Sequence, residues 1–117
     1  MPELSRTDWI VHLCTQLAWS AALLTGEYRP LSLDDEGFIH CSRPGQVVAV
    51  ANLFYQGISD LVLLWIDPQR VSAEIRWEAV GDQVLPHIYG PLPTNVVWAV
   101  REFNPDADGI FRQEPGL

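Results

Sequence analysis

The stretch DLVLLWID, residues 60–67, decides the fold of this chain. Its interior is apolar at every position, whereas a strand with one face in water alternates apolar and polar side chains. The run is also far shorter than the roughly 20 apolar residues that cross a membrane. It therefore predicts a buried central strand, with the rest of the domain packed against both of its faces.

The segment WIVHLCTQLAWSAALLTG, which lies upstream, predicts a strand followed by a helix. Residues 9–14 form the expected first strand. Thr15 can then cap the helix QLAWSAALLT with its hydroxyl, and Gly26 stands where a left-handed residue commonly ends a helix. The segment EYRPLSLDDE, which follows, is expected to be a loop or a short strand.

The stretch LDDEGFIHCSRPGQ contains the next strand, GFIHCS, and the start of a second helix. Alternation places Ile39 and Cys41 toward the core, and Phe38, His40 and Ser42 on the opposite face. Ser42 is also a candidate N-cap for the helix that follows. A stripe at helical spacing identifies the buried face of that helix: Val47, Val50, Ala51 and Phe54.

Three segments follow the central strand. EIRWEAV alternates, so Ile75, Trp77 and Ala79 should face inward. VLPHIYGPLP contains three prolines and a glycine, which predict a constrained loop rather than a regular strand. NVVWAVREF predicts the last strand.

These segments together predict one α+β domain over residues 1–117, with two helices early and a strand-rich second half. The core is expected at about residues 9–103, with Trp19, Trp65 and Trp98 inside it. Residues 104–117 are rich in Pro, Gly and acidic side chains, and we expect a tail there in which Ile110 and Phe111 could dock. A chain of 117 residues can bury such a core without disulfides or metal.

The charge of the chain restricts its partners. A formal charge of −8 argues against nucleic acid and anionic membranes as partners, because both are negatively charged and bind positively charged protein surfaces. Its seven basic residues are all arginines, which excludes lysine-based nucleophiles and a phosphate-loop lysine. The beginning of the chain lacks a signal-peptide pattern, so the two cysteines are expected to be reduced thiols in a cytoplasmic protein. Its oligomeric state is left open.

His40, Ser42 and Gln46 surround the expected start of the second helix. The free N–H groups of a helix N-terminus favour an anion or a ribose, which makes these residues a candidate ligand site. An ordinary helix cap beside a structural histidine explains the same pattern. Both interpretations stay open.

His87, Tyr89 and Glu78 are the other candidates. His87 and Tyr89 share a face of a rigid PHIYG segment, and Glu78 either belongs to a solvated edge strand or stabilises a developing cation. Three other chemistries are disfavoured: the histidines and cysteines lack metal-ligand spacing, Cys41 should point away from His40, and Ser42 lacks the elbow that activates a serine nucleophile.

Several motifs together resemble an uncharacterised bacterial family known as domain of unknown function 952. They are Trp19, Gly26 with Tyr28, EGFIHCS, Gln46, VANLFYQG, DLVLLWID, RWE and PHIYGPL. The resemblance covers about residues 9–103. That family is in turn similar in fold to the ADP-ribosyltransferase superfamily, in which a split antiparallel sheet forms a cleft for a nicotinamide dinucleotide.

This resemblance implies an NAD-binding cleft and site residues. His12 in VHLCT matches the first-strand histidine that binds a ribose, and His40 stands at the position of an aromatic residue. Glu78 matches the acidic residue of a later strand, and the implied catalytic residues are Glu78 and His40. The expected ligand contacts are His12, Ser42, Gln46, His87, Tyr89 and Arg43. The implied function is an ADP-ribosyltransferase or NAD glycohydrolase with NAD as substrate; the alternative is a non-catalytic binding or interaction module with the same fold.

Overall fold

The computed structural model describes residues 9–112, and within that range the chain forms eight strands and three α-helices. In order they are β1 (Ile10–Thr15), α1 (Gln16–Thr25), β2 (Glu27–Tyr28), α2 (Leu31–Asp35), β3 (Ile39–His40), α3 (Val47–Phe54), β4 (Leu61–Ile66), β5 (Glu74–Val80), β6 (Gln83–Tyr89), β7 (Leu92–Pro93) and β8 (Val97–Glu102). No helix within residues 9–112 is long and apolar enough to cross a membrane.

The first sheet has the order β1-β4-β8, and both of its strand pairs are antiparallel. All six residues of β4 are buried, so the predicted central strand is confirmed. Alternate β4 side chains enter two separate apolar clusters. Leu61, Leu63 and Trp65 pack with α3, whereas Val62, Leu64 and Ile66 pack with α1 and the second sheet. This sheet is therefore the layer between two cores.

The second sheet has the order β3-β6-β5, and β2 pairs with β7 in a two-stranded ladder. Every strand pair is antiparallel among the described residues. Val11 and Ser42 exchange two backbone hydrogen bonds of 2.8 Å and so join the two larger sheets. The α+β class with antiparallel sheets is confirmed.

The first helix is capped as its sequence predicts. Thr15 Oγ1 accepts a hydrogen bond from the Ala18 N–H at 3.1 Å. Gly26 ends the helix at φ +84°, in the left-handed region that glycine enters without strain.

The start of the second predicted helix differs from the expectation. Pro44–Gln46 forms a 3₁₀ turn before α3, and its first residue is preceded by Arg43 rather than capped by Ser42. The Arg43 N–H donates to Gln46 Oε1 at 2.9 Å. Val47 and Ala51 are buried as expected, but Phe54 is 61% exposed. The short helix α2 lies where a loop or strand was expected.

The VLPHIYG segment is a regular strand, β6, at the centre of the second sheet, so the predicted loop is wrong. Pro86 is tolerated in this strand because the backbone N–H that proline lacks would face the end of β3. Its carbonyl accepts from the Cys41 N–H at 3.1 Å, and the nitrogen of a strand residue faces the same neighbour as its carbonyl. The strand on that side, β3, ends at His40, so the N–H that proline lacks falls just beyond the last paired residues of the ladder.

Two tryptophans and an alanine expected inside lie at the surface. Trp77 is 46% and Trp98 is 55% exposed, and Ala79 is also exposed. Both tryptophans lie on edge strands, β5 and β8. Trp19 and Trp65 are buried as expected.

The described part of the tail docks on the domain. Phe111 is 2% exposed and stacks on Phe103 at 5.3 Å between ring centroids. Asn52 on α3 brackets it: Asn52 Nδ2 donates to the Phe111 carbonyl at 2.7 Å, and the Phe111 N–H donates to Asn52 Oδ1 at 2.8 Å. The docking of Phe111 is confirmed, and residues 113–117 of the predicted tail lie outside the described residues.

Candidate functional site

A cavity of about 1020 Å³ opens between β1, α1, the β2 segment and β3. Most of its wall is apolar, from Leu13, the alanines of α1 and Leu31. Its polar lining includes His12, Tyr28 and His40, which come from three different strands. The cavity therefore combines a large apolar surface with a compact polar group.

His12 is fixed by hydrogen bonds at both ring nitrogens. Nδ1 donates to the carbonyl of His40, since a carbonyl can only accept. Nε2 must then accept from the Tyr28 hydroxyl, at 2.7 Å. Burial lowers the pKa of His12 to about 4, so the imidazole is neutral near pH 7. His12 thus holds Tyr28 and the β3 backbone in place, and both of its ring nitrogens are bonded within the protein.

Two other groups beside His12, the Cys14 thiol and the Tyr28 phenol, are also neutral. Burial raises the pKa of the Cys14 thiol to about 11 and raises the pKa of the Tyr28 phenol above its usual range. Both groups line the same cavity. The inner wall therefore offers neutral hydrogen-bonding groups and no reactive thiolate.

His40 stands between two cavities. A second one, of about 350 Å³, lies beside the first, and both are lined by Leu13, His40 and Tyr55. Ser42 and Cys41 line the smaller cavity, where complete burial raises the pKa of Cys41. The exposed His40 ring meets Glu36, with Nε2 and Oε2 2.6 Å apart.

Charges at the large cavity come from the segment after α1. Arg29 lines it and lies 3.6 Å from Glu27 and 3.9 Å from Asp34, counted between nitrogen and oxygen atoms. These pairs are exposed, and exposed pairs contribute little energy. Arg29 is therefore available to an anionic ligand group.

Glu78, His87 and Tyr89 form a second cluster on one face of the sheet β3-β6-β5. Glu78 Oε1 accepts from His87 Nδ1 at 2.9 Å and from the Tyr89 hydroxyl at 2.5 Å. The hydrogen bond from Tyr89 and, to a smaller extent, the one from His87 lower the pKa of Glu78. A lowered pKa keeps this carboxylate ionised.

Aromatic rings cover this cluster. Phe38 stacks on His87, with centroids 4.2 Å apart and an interplanar angle of 16°. The ring of His40 contacts His87 edge-on at 5.2 Å, and the Arg76 guanidinium lies 4.3 Å from the Tyr89 ring centroid. His87 is 3% exposed, and its Nε2 has no hydrogen-bond partner in the described part of the protein.

The structure divides the candidate residues predicted from the sequence. His12 and His40 line the large cavity, and Ser42 joins His40 at the small one. Glu78, His87 and Tyr89 line neither cavity, and the His87 ring contacts the His40 ring, which lines both. These six residues therefore do not share one cavity.

Gln46 and Arg43 also lie outside both cavities. Gln46 Nε2 donates to the Val84 carbonyl and to the Gln83 side chain, each at 3.1 Å, and its Oε1 accepts from the Arg43 N–H. The guanidinium of Arg43 lies 4.7 Å from the Trp77 ring centroid. In this structure both side chains bind their own chain.

Three residues of these sites were missed by sequence reasoning: Tyr28, Glu36 and Phe38. The spacing of Glu36, Phe38 and His40 carries a signal, because every second residue of an extended segment points the same way. No short-range pattern links Tyr28 to His12. Their contact depends on how α1 returns β2 to the first strand.

The geometry defines a small α+β protein with three antiparallel sheets and a ligand-sized cavity beside the junction of the two larger ones. The chain belongs to the family described as protein of unknown function (DUF952), whose profile matches residues 13–100. None of the curated proteins compared matches the chain.

Solved structures of one relative match nearly the whole chain. The crystal structure of protein CC0527 from Caulobacter crescentus is 31% identical, with a TM-score of 0.79, and the match covers 89% of this chain and 93% of that one. Its solution NMR structure is 29% identical, with a TM-score of 0.76 and coverage of 90% and 92%. Neither is described with an activity, so the likeness to ADP-ribosyltransferases stays a prediction.

Proposed function

We propose that this protein binds a nucleotide-like small molecule in the large cavity, with NAD as the ligand. The observation that carries the proposal is the polar wall of His12, Tyr28 and His40 inside a mostly apolar cavity of about 1020 Å³. Small-molecule sites are typically apolar clefts of roughly 300–1,000 Å³ with a few converging polar groups. The cavity matches that description in both size and lining.

Each part of a nucleotide has a complementary group in the cavity. The apolar wall at Leu13 and Leu31 suits the face of a base, and the hydroxyls of Tyr28 and Ser32 can meet ribose oxygens. Arg29 can exchange its exposed ion pairs for a phosphate. Because the net charge of −8 repels anions at long range, this attraction must be local and the affinity low.

Calorimetry with NAD tests the proposal. We expect the wild type to bind in the range of tens of micromolar to millimolar, which corresponds to about −4 to −6 kcal/mol. Tyr28→Phe and His40→Ala should weaken binding severalfold. Tyr89→Phe is the matched control, because Tyr89 lines neither cavity, and should bind like the wild type. Absence of binding by the wild type at millimolar NAD contradicts the proposal.

A second candidate is cleavage of NAD at the bond between nicotinamide and ribose, with transfer of ADP-ribose to water or another acceptor. It is favoured by the ionised Glu78, which connects through His87 to the His40 ring at the cavity. When the bond breaks, nicotinamide leaves with the bonding electrons and the ribose becomes cationic. A nearby carboxylate stabilises that cation.

Release of nicotinamide separates the enzyme from the non-catalytic binding module. If the protein is an enzyme, Glu78→Gln should abolish release and leave NAD affinity nearly unchanged, since the carboxylate acts only when the cation develops. Binding without release by the wild type favours the binding module. Glu78 lines neither cavity, and this favours binding without catalysis.

A further inference from the structure

The Glu78–His87–Tyr89 cluster has the arrangement of a carboxylate that orients a histidine. Glu78 is an acceptor for both of its partners, so His87 must carry its hydrogen on Nδ1. In the neutral ring this leaves a lone pair on Nε2. A carboxylate that fixes the tautomer in this way also stabilises the imidazolium formed when Nε2 takes a proton.

The free nitrogen of His87 is the unusual feature of this cluster. Buried polar atoms in proteins nearly always have a hydrogen-bond partner. His87 Nε2 is buried without one in the described chain, although its Nδ1 is held at 2.9 Å. His12 shows the contrast, because both of its ring nitrogens are bonded within the protein.

Phe38 covers one face of the His87 ring. The Phe38 ring lies flat on the imidazole at 4.2 Å and also contacts Tyr89 at 5.1 Å. Phe38 precedes the two-residue strand β3 and follows Gly37, whose φ of +90° is a conformation that other residues rarely adopt. Phe38 is itself only half-buried, so the covering ring lies at the surface of the protein.

We propose that His87 is a general base that accepts a proton from a hydroxyl group of a substrate or from water. Glu78 and Tyr89 position its ring, and Phe38 covers it. The O–H bond breaks, the proton passes to Nε2, and the imidazolium formed faces the Glu78 carboxylate. The oxygen keeps the electron pair and becomes the nucleophile. This step is independent of whether the large cavity binds NAD.

The tautomer of His87 in the unmodified protein is the first test. The chain has three histidines, so their ring nitrogens can be assigned by long-range ¹H–¹⁵N spectra at about pH 8, where a free imidazole is neutral. We expect Nδ1 of His87 to carry the hydrogen and Nε2 to be unprotonated. In Glu78→Ala, which lacks the acceptor, both tautomers should be populated. An Nε2–H tautomer in the wild type overturns the proposal.

The second test is acylation by diethylpyrocarbonate, which reacts at an unprotonated imidazole nitrogen, followed by peptide mass spectrometry. His87 should react slowly in the wild type and severalfold faster in Phe38→Ala. Phe54→Ala is the matched control, because Phe54 is an exposed phenylalanine on α3, and His87 should react in it as in the wild type. Equal rates at His87 in the wild type and Phe38→Ala overturn the role of Phe38 as a cover.

Discussion

The two larger sheets differ in what their central strands carry. In β4 both faces are apolar and buried, and each packs into its own core. In β6 one face presents Ile88 to the core, while the other presents His87 and Tyr89 to Glu78 and Phe38. We therefore expect the first sheet to supply most of the stability, whereas the second sheet fixes a cluster of polar groups on one of its faces.

The largest effect should come from the first sheet. Leu63→Ala on β4 removes a side chain that is 0% exposed, and such truncations cost about 2–5 kcal/mol. The free energy of unfolding, measured with urea, should fall by that amount. A loss below about 1 kcal/mol would show that β4 does not anchor the fold.

The next effect is a pH dependence that comes from His12. Its pKa is about 4 in the folded protein and 6.5 in the unfolded chain, so the unfolded chain binds the proton first as the pH falls. His12 therefore contributes stability that is complete above about pH 6.5 and is lost as the pH falls toward 4, amounting to about 3 kcal/mol.

This loss can be separated from that of the carboxylates by comparison with His12→Asn. The difference in unfolding free energy between the two proteins should shrink from pH 7 to pH 4, and NMR titration of His12 should give a pKa near 4. Titration of His12 near 6.5 would contradict the neutral, doubly bonded ring.

Cys41 lies where the two larger sheets meet, and substituting it tests whether this junction is buried. Cys41→Ser places a hydroxyl at a site that is 2% exposed, which should cost about 1–3 kcal/mol. Because burial also raises the pKa of this thiol, native Cys41 should react slowly with thiol reagents. Rapid labelling of Cys41 in the folded protein, with Cys14 scored separately by mass spectrometry, would contradict this placement.

The smallest effect should come from the outer part of β6. Val84 is 52% exposed, so Val84→Ala should change the free energy of unfolding by no more than about 0.5 kcal/mol. A loss comparable to that of Leu63→Ala would remove the distinction between the two sheets.

The sequence predicted the first sheet better than the second. DLVLLWID is apolar throughout, and Thr15 and Gly26 are local signals that act within a few residues, so β4 and α1 were predicted correctly. Pro86 indicated a break in the chain. Its tolerance depends on β3 ending beside it, which is a tertiary fact that the local sequence does not contain.

The candidate residues were identified by type, but their grouping was not. Alternation correctly placed Ile39 and Cys41 in the core and left His40 exposed. It could not show that the Tyr28 hydroxyl would reach His12, or that Glu78 would bond to His87 across two paired strands. These contacts depend on sheet register and on the path of the chain between strands.

The most direct test of the proposed ligand site is an NMR titration of the protein with NAD, following backbone amides. We expect shifts at Tyr28, Arg29 and His40, which line the large cavity, and no change at Trp98 and Ala99 on the opposite edge strand β8. Shifts that are absent from the cavity residues, or that are confined to β8, would contradict the assignment of the large cavity as the ligand site.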